Sequence, residues 1–175
     1  VLVGENPASK AYVGSKQRAC EELGMNSPGF KLQASATQEE VESLVKELNA
    51  DTAVHGILVQ LPLPSHLDEE KILGAISLEK DVDGFHPLNI GRLSMKGRNP
   101  WFVPCTPAGC IELLDRSGVS IEGAEAVVLG RSNIVGLPVS MLLLHRNASI
   151  TICHSRTRDL ASVCRRGDIL IAAVG

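Results

Sequence analysis

The chain has 175 residues, enough for one ordinary domain or two small ones. Its composition, 44% hydrophobic and 21% charged, is typical of a globular protein, and the net charge of -3 gives no reason to expect nucleic acid or an anionic membrane as a partner. No apolar run approaches the roughly 18 residues of a membrane span, and aromatic residues make up only 3%, so we expect an aliphatic core of the kind that parallel sheets have.

The first half of the chain alternates between strand and helix patterns. The capping box Thr37-Gln-Glu-Glu40 marks the start of one helix, and the rigid exit Leu61-Pro-Leu-Pro64 ends a buried strand. The predicted strands cover residues 1–3, 30–35 and 55–60, and the predicted helices cover 8–23, 37–48 and 68–75. A turn over 81–84 and an irregular stretch to residue 104 follow.

The second half repeats the alternation. Thr106-Pro107 predicts a helix to about residue 116, with Thr106 as its cap and proline at the first helical position. An apolar strand then leads into Gly130, a helix covers 134–146, a strand begins at residue 150, and a last apolar strand begins at residue 169. This order predicts an α/β fold with parallel strands and helical crossovers. We place the domain boundary within 104–118 and divide the chain into residues 1–106 and 107–175.

The segments 125–138 and 150–157 read as strand, glycine turn with Gly130 and Arg131, helix and strand, which is half of a dinucleotide-binding fold. Backbone N–H groups at the start of the helix over 134–146 would offer an anion site for phosphate. A site for NAD usually has an acidic residue at the end of the second strand, whereas this chain has Ser155 and Arg156 there. Because guanidinium and hydroxyl groups bind a 2′-phosphate, the segment predicts NADP. The glycine pattern alone is weak, and a glycine turn without a ligand stays open.

The first half has polar residues at positions where ligands could bind. Tyr12 and Lys16 lie four residues apart and share one face of a predicted helix. A solvated lysine beside a half-buried tyrosine gives the same pattern. Short-chain dehydrogenases also have a Tyr-x-x-x-Lys pair, but in them the pair follows the dinucleotide-binding half, whereas here it precedes it, so that assignment is rejected. Gln60 ends a strand, as ligand-binding residues of α/β sheets do, but a polar strand end in solvent explains it equally. Asp81 and Asp83 lie in a turn, where aspartate is common.

The cysteines and two histidines carry no clear chemistry. The number of cysteines is odd and they are scattered, which argues against disulfides and against a zinc site, so we expect reduced thiols and no metal. Cys105 precedes Thr106-Pro107 but has no activating base in view. His86 and His154 have no partner visible in the sequence, which favours a surface or structural role. The five cysteines are Cys20, Cys105, Cys110, Cys153 and Cys164.

Six segments, taken together, resemble one family. They are Val3-Gly-Glu-Asn-Pro-Ala-Ser-Lys-Ala-Tyr-Val-Gly-Ser-Lys16, Gly56-Ile-Leu-Val-Gln-Leu-Pro-Leu-Pro64, Lys80-Asp-Val-Asp-Gly-Phe-His-Pro-Leu-Asn-Ile-Gly91, Pro104-Cys-Thr-Pro-Ala-Gly109, Gly130-Arg-Ser-Asn-Ile-Val-Gly-Leu-Pro138 and Cys153-His-Ser-Arg-Thr157. The chain resembles bifunctional methylenetetrahydrofolate dehydrogenase/methenyltetrahydrofolate cyclohydrolase over essentially its whole length, in the order of that family. No single segment would be specific.

The resemblance implies a fold, a reaction and partners. It implies two α/β domains around a cleft, the second a Rossmann-like NADP-binding domain, and a homodimer. The implied enzyme passes a hydride from 5,10-methylene-tetrahydrofolate to NADP and then adds water to the methenyl product, giving 10-formyl-tetrahydrofolate. The cytoplasm is the default compartment, with mitochondrion and plastid left open.

The resemblance also implies roles for individual residues. Lys16 is the implied catalytic lysine, Tyr12 would stack on the folate ring system, and Gln60 would hydrogen-bond to Lys16. Asp83 would bind the pterin edge. The implied substrate-binding residues are Tyr12, Lys16, Val59, Gln60, Leu61 and Asp83, and the implied NADP-binding residues are Gly130, Arg131, Ser132 and Ser155.

Two alternatives remain beside the resemblance. Another two-domain NADP oxidoreductase, similar to shikimate dehydrogenase, would share the architecture without needing the folate residues. The chain also begins and ends in apolar strand patterns, and the opening and C-terminal parts of the family are absent. We therefore expect a piece of a longer enzyme, and an inert fragment is the second alternative.

Overall fold

The computed structural model describes residues 1–174, which form two compact α/β units. The first covers Val1–Val82 and the second begins at Asp83. Each unit has its own aliphatic core. The functional boundary that the sequence placed between residues 106 and 107 stays a prediction. Among the described residues, no helix is long and apolar enough to cross a membrane.

The first unit surrounds a short parallel sheet with helices. In chain order its elements are β1 (Leu2–Val3), α1 (Pro7–Glu22), β2 (Lys31–Leu32), α2 (Gln38–Ala50), α3 (Glu69–Gly74) and a 3-10 turn (Leu78–Lys80). β1 pairs with β2 in parallel, Leu2 opposite Lys31. The capping box at the start of α2 is confirmed, because Thr37 accepts from the Glu40 N–H and the Glu40 carboxylate accepts from the Thr37 N–H.

The segment predicted as a strand over 55–60 is extended but does not form a regular strand. Only Ile57 has a ladder partner, a parallel bridge to Asp81. On its other side, Val1 donates its N–H to the Leu58 carbonyl and accepts from the Gln60 N–H at 2.9 Å. A continuous ladder does not form because the neighbouring β1 is only two residues long. The segment nevertheless runs beside β1 and delivers Gln60 to its end.

Lys80 closes the C-terminal end of α2, a role that the sequence did not predict. Its ammonium donates to the carbonyl oxygens of Leu48, Asn49 and Asp51 at 3.0, 2.7 and 2.8 Å. The last carbonyls of a helix have no partner inside the helix, and a cation there also interacts favourably with the helix dipole. All three ammonium donors are used, so Lys80 is a structural residue.

The described part of the second unit, residues 83–174, contains four helices and a parallel sheet of three strands. In chain order its elements are α4 (Pro87–Leu93), α5 (Cys105–Arg116), β3 (Glu125–Leu129), α6 (Gly136–His145), β4 (Ser149–Cys153), α7 (Leu160–Arg165) and β5 (Ile169–Ala172). The expectation of an irregular stretch to residue 104 was wrong, since it contains α4, a short helix with proline at its first position and His86 as cap. The cap expected at Thr106 was also wrong: α5 begins at Cys105, two residues before the predicted first residue Pro107, and its cap position is Pro104.

The order of the three strands creates a natural binding edge. β3 lies in the centre, with β4 on one side and β5 on the other, all parallel. The chain therefore leaves β3 towards one side of the sheet and later returns on the opposite side. In open α/β sheets, ligands bind outside the carboxyl ends of the strands at such a reversal. The residues that follow Leu129, Cys153 and Ala172 lie at this edge.

An exposed ion pair joins the ends of two helices in the second unit. Arg146, which follows α6, donates from both terminal nitrogens to the Asp115 carboxylate of α5, at 2.7 and 2.8 Å. These hydrogen bonds lower the pKa of the Asp115 carboxyl from its usual range and raise the pKa of Arg146.

Candidate active site and cofactor site

Helix α1 presents Tyr12 and Lys16 on an exposed face. The helix begins after Asn6, whose side chain accepts from the Ser9 N–H at 3.1 Å, and Pro7 takes its first position. Ser9 is buried, whereas the Tyr12 ring is 64% exposed. Tyr12 and Lys16 lie one turn apart, as the sequence predicted. The helix therefore offers an aromatic surface and an ammonium group side by side.

The fold brings Lys16 to Gln60. The Lys16 ammonium donates to Gln60 Oε1 at 3.1 Å, across 44 positions of sequence. The Gln60 amide nitrogen donates to the Leu61 carbonyl at 2.8 Å, which leaves its oxygen directed towards Lys16. A neutral acceptor holds the amino group without fixing a negative charge beside it. Gln60 therefore fixes the position of the Lys16 amino group beside Tyr12.

The two other predicted substrate contacts of this unit differ in burial. Val59 is 1% exposed and packs in the first core, whereas Leu61 is half-buried. Leu61 contributes its carbonyl to the orientation of Gln60, a main-chain role that no sequence pattern could have indicated. That both residues contact substrate stays a prediction.

The two aspartates of the 81–84 turn have different environments. Asp81 is 1% exposed and forms the bridge with Ile57, so it is part of the framework. Asp83 is only half-buried and belongs to the second unit. Gly84 follows with a φ of +69°, and a Cβ there would lie 2.7 Å from the Phe102 carbonyl oxygen, so the turn requires glycine. The role of Asp83 at the pterin edge stays a prediction.

The loop after β3 depends on Gly130. Its φ is +114°, and a side chain there would overlap the carbonyl of Ala173, which follows β5. The Gly130 N–H donates to the Cys153 carbonyl at 2.8 Å, and the Ala173 N–H donates to the Leu129 carbonyl at 2.8 Å. Gly130 therefore allows the backbones at the carboxyl edge of the sheet to meet.

The start of α6 differs from the prediction. The helix begins at Gly136, two residues after the predicted start at Ile134. The Ser132 hydroxyl accepts from the N–H groups of Val135 and Gly136, at 3.2 Å each. The expectation that the helix start leaves its N–H groups open for a phosphate is therefore wrong for these two donors. Ser132 caps the turn, and its own side chain remains exposed.

The loops after β3 and β4 present positive charge at one edge. Leu129 and Cys153 are opposite each other in the sheet, so the residues that follow them share this edge. Arg131, Ser155 and Arg156 are all exposed there. Within residues 1–174, the guanidinium groups of Arg131 and Arg156 have no hydrogen bond or ion pair.

The donor set at this edge fits a dinucleotide with a 2′-phosphate. No carboxylate lies in the turn over 154–157 that follows β4; the nearest one in sequence, on Asp159, accepts from the Ser162 N–H as the cap of α7. Guanidinium and hydroxyl groups are donors that suit a phosphate. As for metals, the described residues contain no group of three or more His, Cys, Asp or Glu side chains that could hold an ion.

Two family models match the chain. The model described as "Tetrahydrofolate dehydrogenase/cyclohydrolase, catalytic domain" matches residues 1–83. The model described as "Tetrahydrofolate dehydrogenase/cyclohydrolase, NAD(P)-binding domain" matches residues 104–175. Together they account for nearly the whole sequence, in the order that the resemblance implied.

Curated relatives and solved structures agree with these matches. The chain is 59% identical over 175 residues to "Bifunctional protein FolD" of Moorella thermoacetica, covering all of this chain and 62% of that protein. It is similar to the FolD of Trypanosoma brucei "complexed with NADP cofactor and inhibitor", with 43% identity, a TM-score of 0.95 and 99% and 59% of the two chains covered. The bifunctional FolD of Campylobacter jejuni gives 47% identity, a TM-score of 0.92 and 99% and 61% coverage. The chain thus spans about three fifths of the length of its relatives.

Proposed function

This chain belongs to the tetrahydrofolate dehydrogenase/cyclohydrolase family, and on that premise we propose that it forms part of a bifunctional enzyme of one-carbon folate metabolism. The enzyme oxidises 5,10-methylene-tetrahydrofolate to 5,10-methenyl-tetrahydrofolate with NADP and hydrolyses the product to 10-formyl-tetrahydrofolate. We keep residues 1–106 as the folate domain and 107–175 as part of the NADP-binding domain. The alternatives of a shikimate dehydrogenase-like enzyme and an inert fragment have no observation in their favour.

The observation that carries this proposal is the hydrogen bond between Lys16 and Gln60 beside the exposed ring of Tyr12. Folate substrates carry a flat, heteroaromatic pterin, and an exposed aromatic ring offers a surface on which it can stack. The amino group lies one helical turn from that ring. The group that stacks the substrate and the group that moves a proton are thus on the same helix face.

The chemistry assigns separate tasks to the residues. When bound, NADP supplies the hydride acceptor for the dehydrogenase step. In the cyclohydrolase step, water attacks the cationic methenyl carbon and loses a proton. Lys16 would accept that proton as a free amine and later return it during ring opening, while Gln60 Oε1 holds the amino group in position. Asp83 would hold the pterin edge.

We propose NADP rather than NAD because of the groups after β3 and β4. Arg131 and Ser155 are exposed at the carboxyl edge of the sheet, where a phosphate would meet two hydrogen-bond donors and no carboxylate in the turn over 154–157. Gly130 and Ser132 shape the loop that carries Arg131. We also propose a homodimer in the cytoplasm, which sedimentation and fractionation would test.

Lys16→Met tests the assignment of the proton-transfer residue. We expect loss of cyclohydrolase activity, followed as the disappearance of methenyl absorbance, with NADP binding retained. Lys10→Met is the matched control, because Lys10 lies on the same helix and its ammonium pairs, among residues 1–174, only with the exposed Glu5. Cyclohydrolase activity close to that of the unmodified protein in Lys16→Met would overturn the assignment.

A further inference from the structure

We propose that His154 and Thr157 are positioning residues that fix the turn carrying Ser155 and Arg156, and that they thereby set the preference for a 2′-phosphorylated dinucleotide. The inference rests on the proposed function. Neither residue needs to touch the cofactor. Their effect comes through the backbone of the turn that follows β4.

Three hydrogen bonds hold this turn. The His154 N–H donates to Thr157 Oγ1 at 2.8 Å, and the Thr157 N–H donates to the His154 carbonyl at 2.8 Å. The Arg156 N–H donates to Nδ1 of the His154 ring at 3.1 Å. The backbone N–H groups of three of the four residues are therefore engaged inside the turn. The two residues between His154 and Thr157 are left as the exposed pair.

The arrangement separates residues that hold the turn from residues that face solvent. His154 and Thr157 are half-buried, whereas Ser155 and Arg156 are exposed. Cys153, which precedes the turn, is 1% exposed and paired with Leu129 of β3, so the turn starts from a rigid point of the sheet. A hydroxyl and a guanidinium bind a phosphate well only if they are placed in advance, because ordering them on binding costs affinity.

The hydrogen bond from the Arg156 N–H to His154 Nδ1 can be tested most sharply, because two substitutions separate the acceptor atom from the ring. Nδ1 accepts an N–H only when it is unprotonated, and it is two bonds from Cβ. Asparagine has its Oδ1 at the same position and forms the equivalent turn by accepting from the N–H two residues on. His154→Asn therefore keeps the acceptor and removes the rest of the ring. His154→Leu keeps a side chain of similar bulk and removes the acceptor.

The experiment measures binding and not turnover. Calorimetric titration of the purified protein and its His154→Leu, His154→Asn, Thr157→Val and Thr157→Ser variants uses NADP+, NAD+ and adenosine 2′,5′-bisphosphate. We expect His154→Leu and Thr157→Val to lose about tenfold in affinity for the two 2′-phosphorylated probes, as the loss of one well-placed hydrogen bond would cause. Their affinity for NAD+ should change less than twofold.

Rescue distinguishes positioning from general damage. His154→Asn and Thr157→Ser should bind NADP+ within about threefold of the unmodified protein, since each keeps its acceptor. Equal affinities in all variants, or equal losses for NAD+ and NADP+, would overturn the inference. If His154→Leu fails to fold, as judged by circular dichroism, the Thr157 pair decides the result. No binding of NADP+ by the unmodified protein would instead refute the proposed cofactor.

Discussion

Replacing Gly130 by alanine tests whether the carboxyl edge of the sheet is built as described. The φ of +114° is one that residues with a Cβ rarely adopt, and the added methyl would also lie 3.0 Å from the Ala173 carbonyl carbon. The backbone conformation costs about 1 to 2 kcal/mol and the overpacking about 1 to 3 kcal/mol. Hydrogen bonds on both sides of Gly130 prevent an easy shift. We therefore expect the free energy of unfolding of this unit to fall by about 2 to 5 kcal/mol.

Gly123→Ala is the matched control for this substitution. Gly123 also has a positive φ, +78°, but no atom lies within 4 Å of its would-be Cβ, so only the conformational cost of about 1 kcal/mol remains. Urea unfolding followed by circular dichroism, and by the fluorescence of Trp101, the single tryptophan of the chain, would compare the two. Equal losses of stability in both variants would refute the overlap with Ala173.

Two further predictions concern stability. Lys80→Met should lower the free energy of unfolding, measured in urea, by about 2 kcal/mol, because three carbonyls at the end of α2 lose a charged donor. Lys71→Met is the control: Lys71 forms an exposed ion pair with Asp68, and its loss should change the free energy of unfolding by less than about 0.5 kcal/mol. Equal effects would contradict the capping role of Lys80. The lowered pKa of Asp115 means that its pairing with Arg146 stabilises the fold above the pKa of the unfolded state, about 4, and that this contribution is lost as the pH falls through the lower folded pKa. Asp115→Asn should therefore have a lower melting temperature than the unmodified protein at pH 7, and the difference should shrink as the pH falls below about 4. A constant difference across the acid range would contradict the assignment.

Much of the fold follows from local patterns. The capping box at Thr37, the apolar strand before Gly130 and the helix that carries Tyr12 and Lys16 all depend on residues close in sequence, and the structure has each of them. The strand expected over 55–60 depended instead on a partner of sufficient length, which β1 does not supply. Periodicity describes one segment and carries no information about its neighbour.

The candidate site likewise combines features that follow from neighbouring residues with contacts between residues far apart in the sequence. The spacing of Tyr12 and Lys16 predicts a shared helix face. The hydrogen bond from Lys16 to Gln60 joins residues 44 positions apart, and its prediction came from the family resemblance. The Ser132 cap was missed because its acceptor role needs the loop to fold back on α6. Lys80 gave no signal because its three acceptors lie about 30 residues earlier in the chain.

The most direct test of the central claim is to mix the protein with NADP+ and 5,10-methylene-tetrahydrofolate and to follow NADPH and methenyl absorbance separately. We expect NADPH to form in step with oxidation of the substrate, the methenyl signal to rise and then decay to 10-formyl-tetrahydrofolate, and NAD+ to be a much poorer cofactor. A protein that binds NADP+ but forms no NADPH with this substrate, while oxidising a different one, would contradict the account.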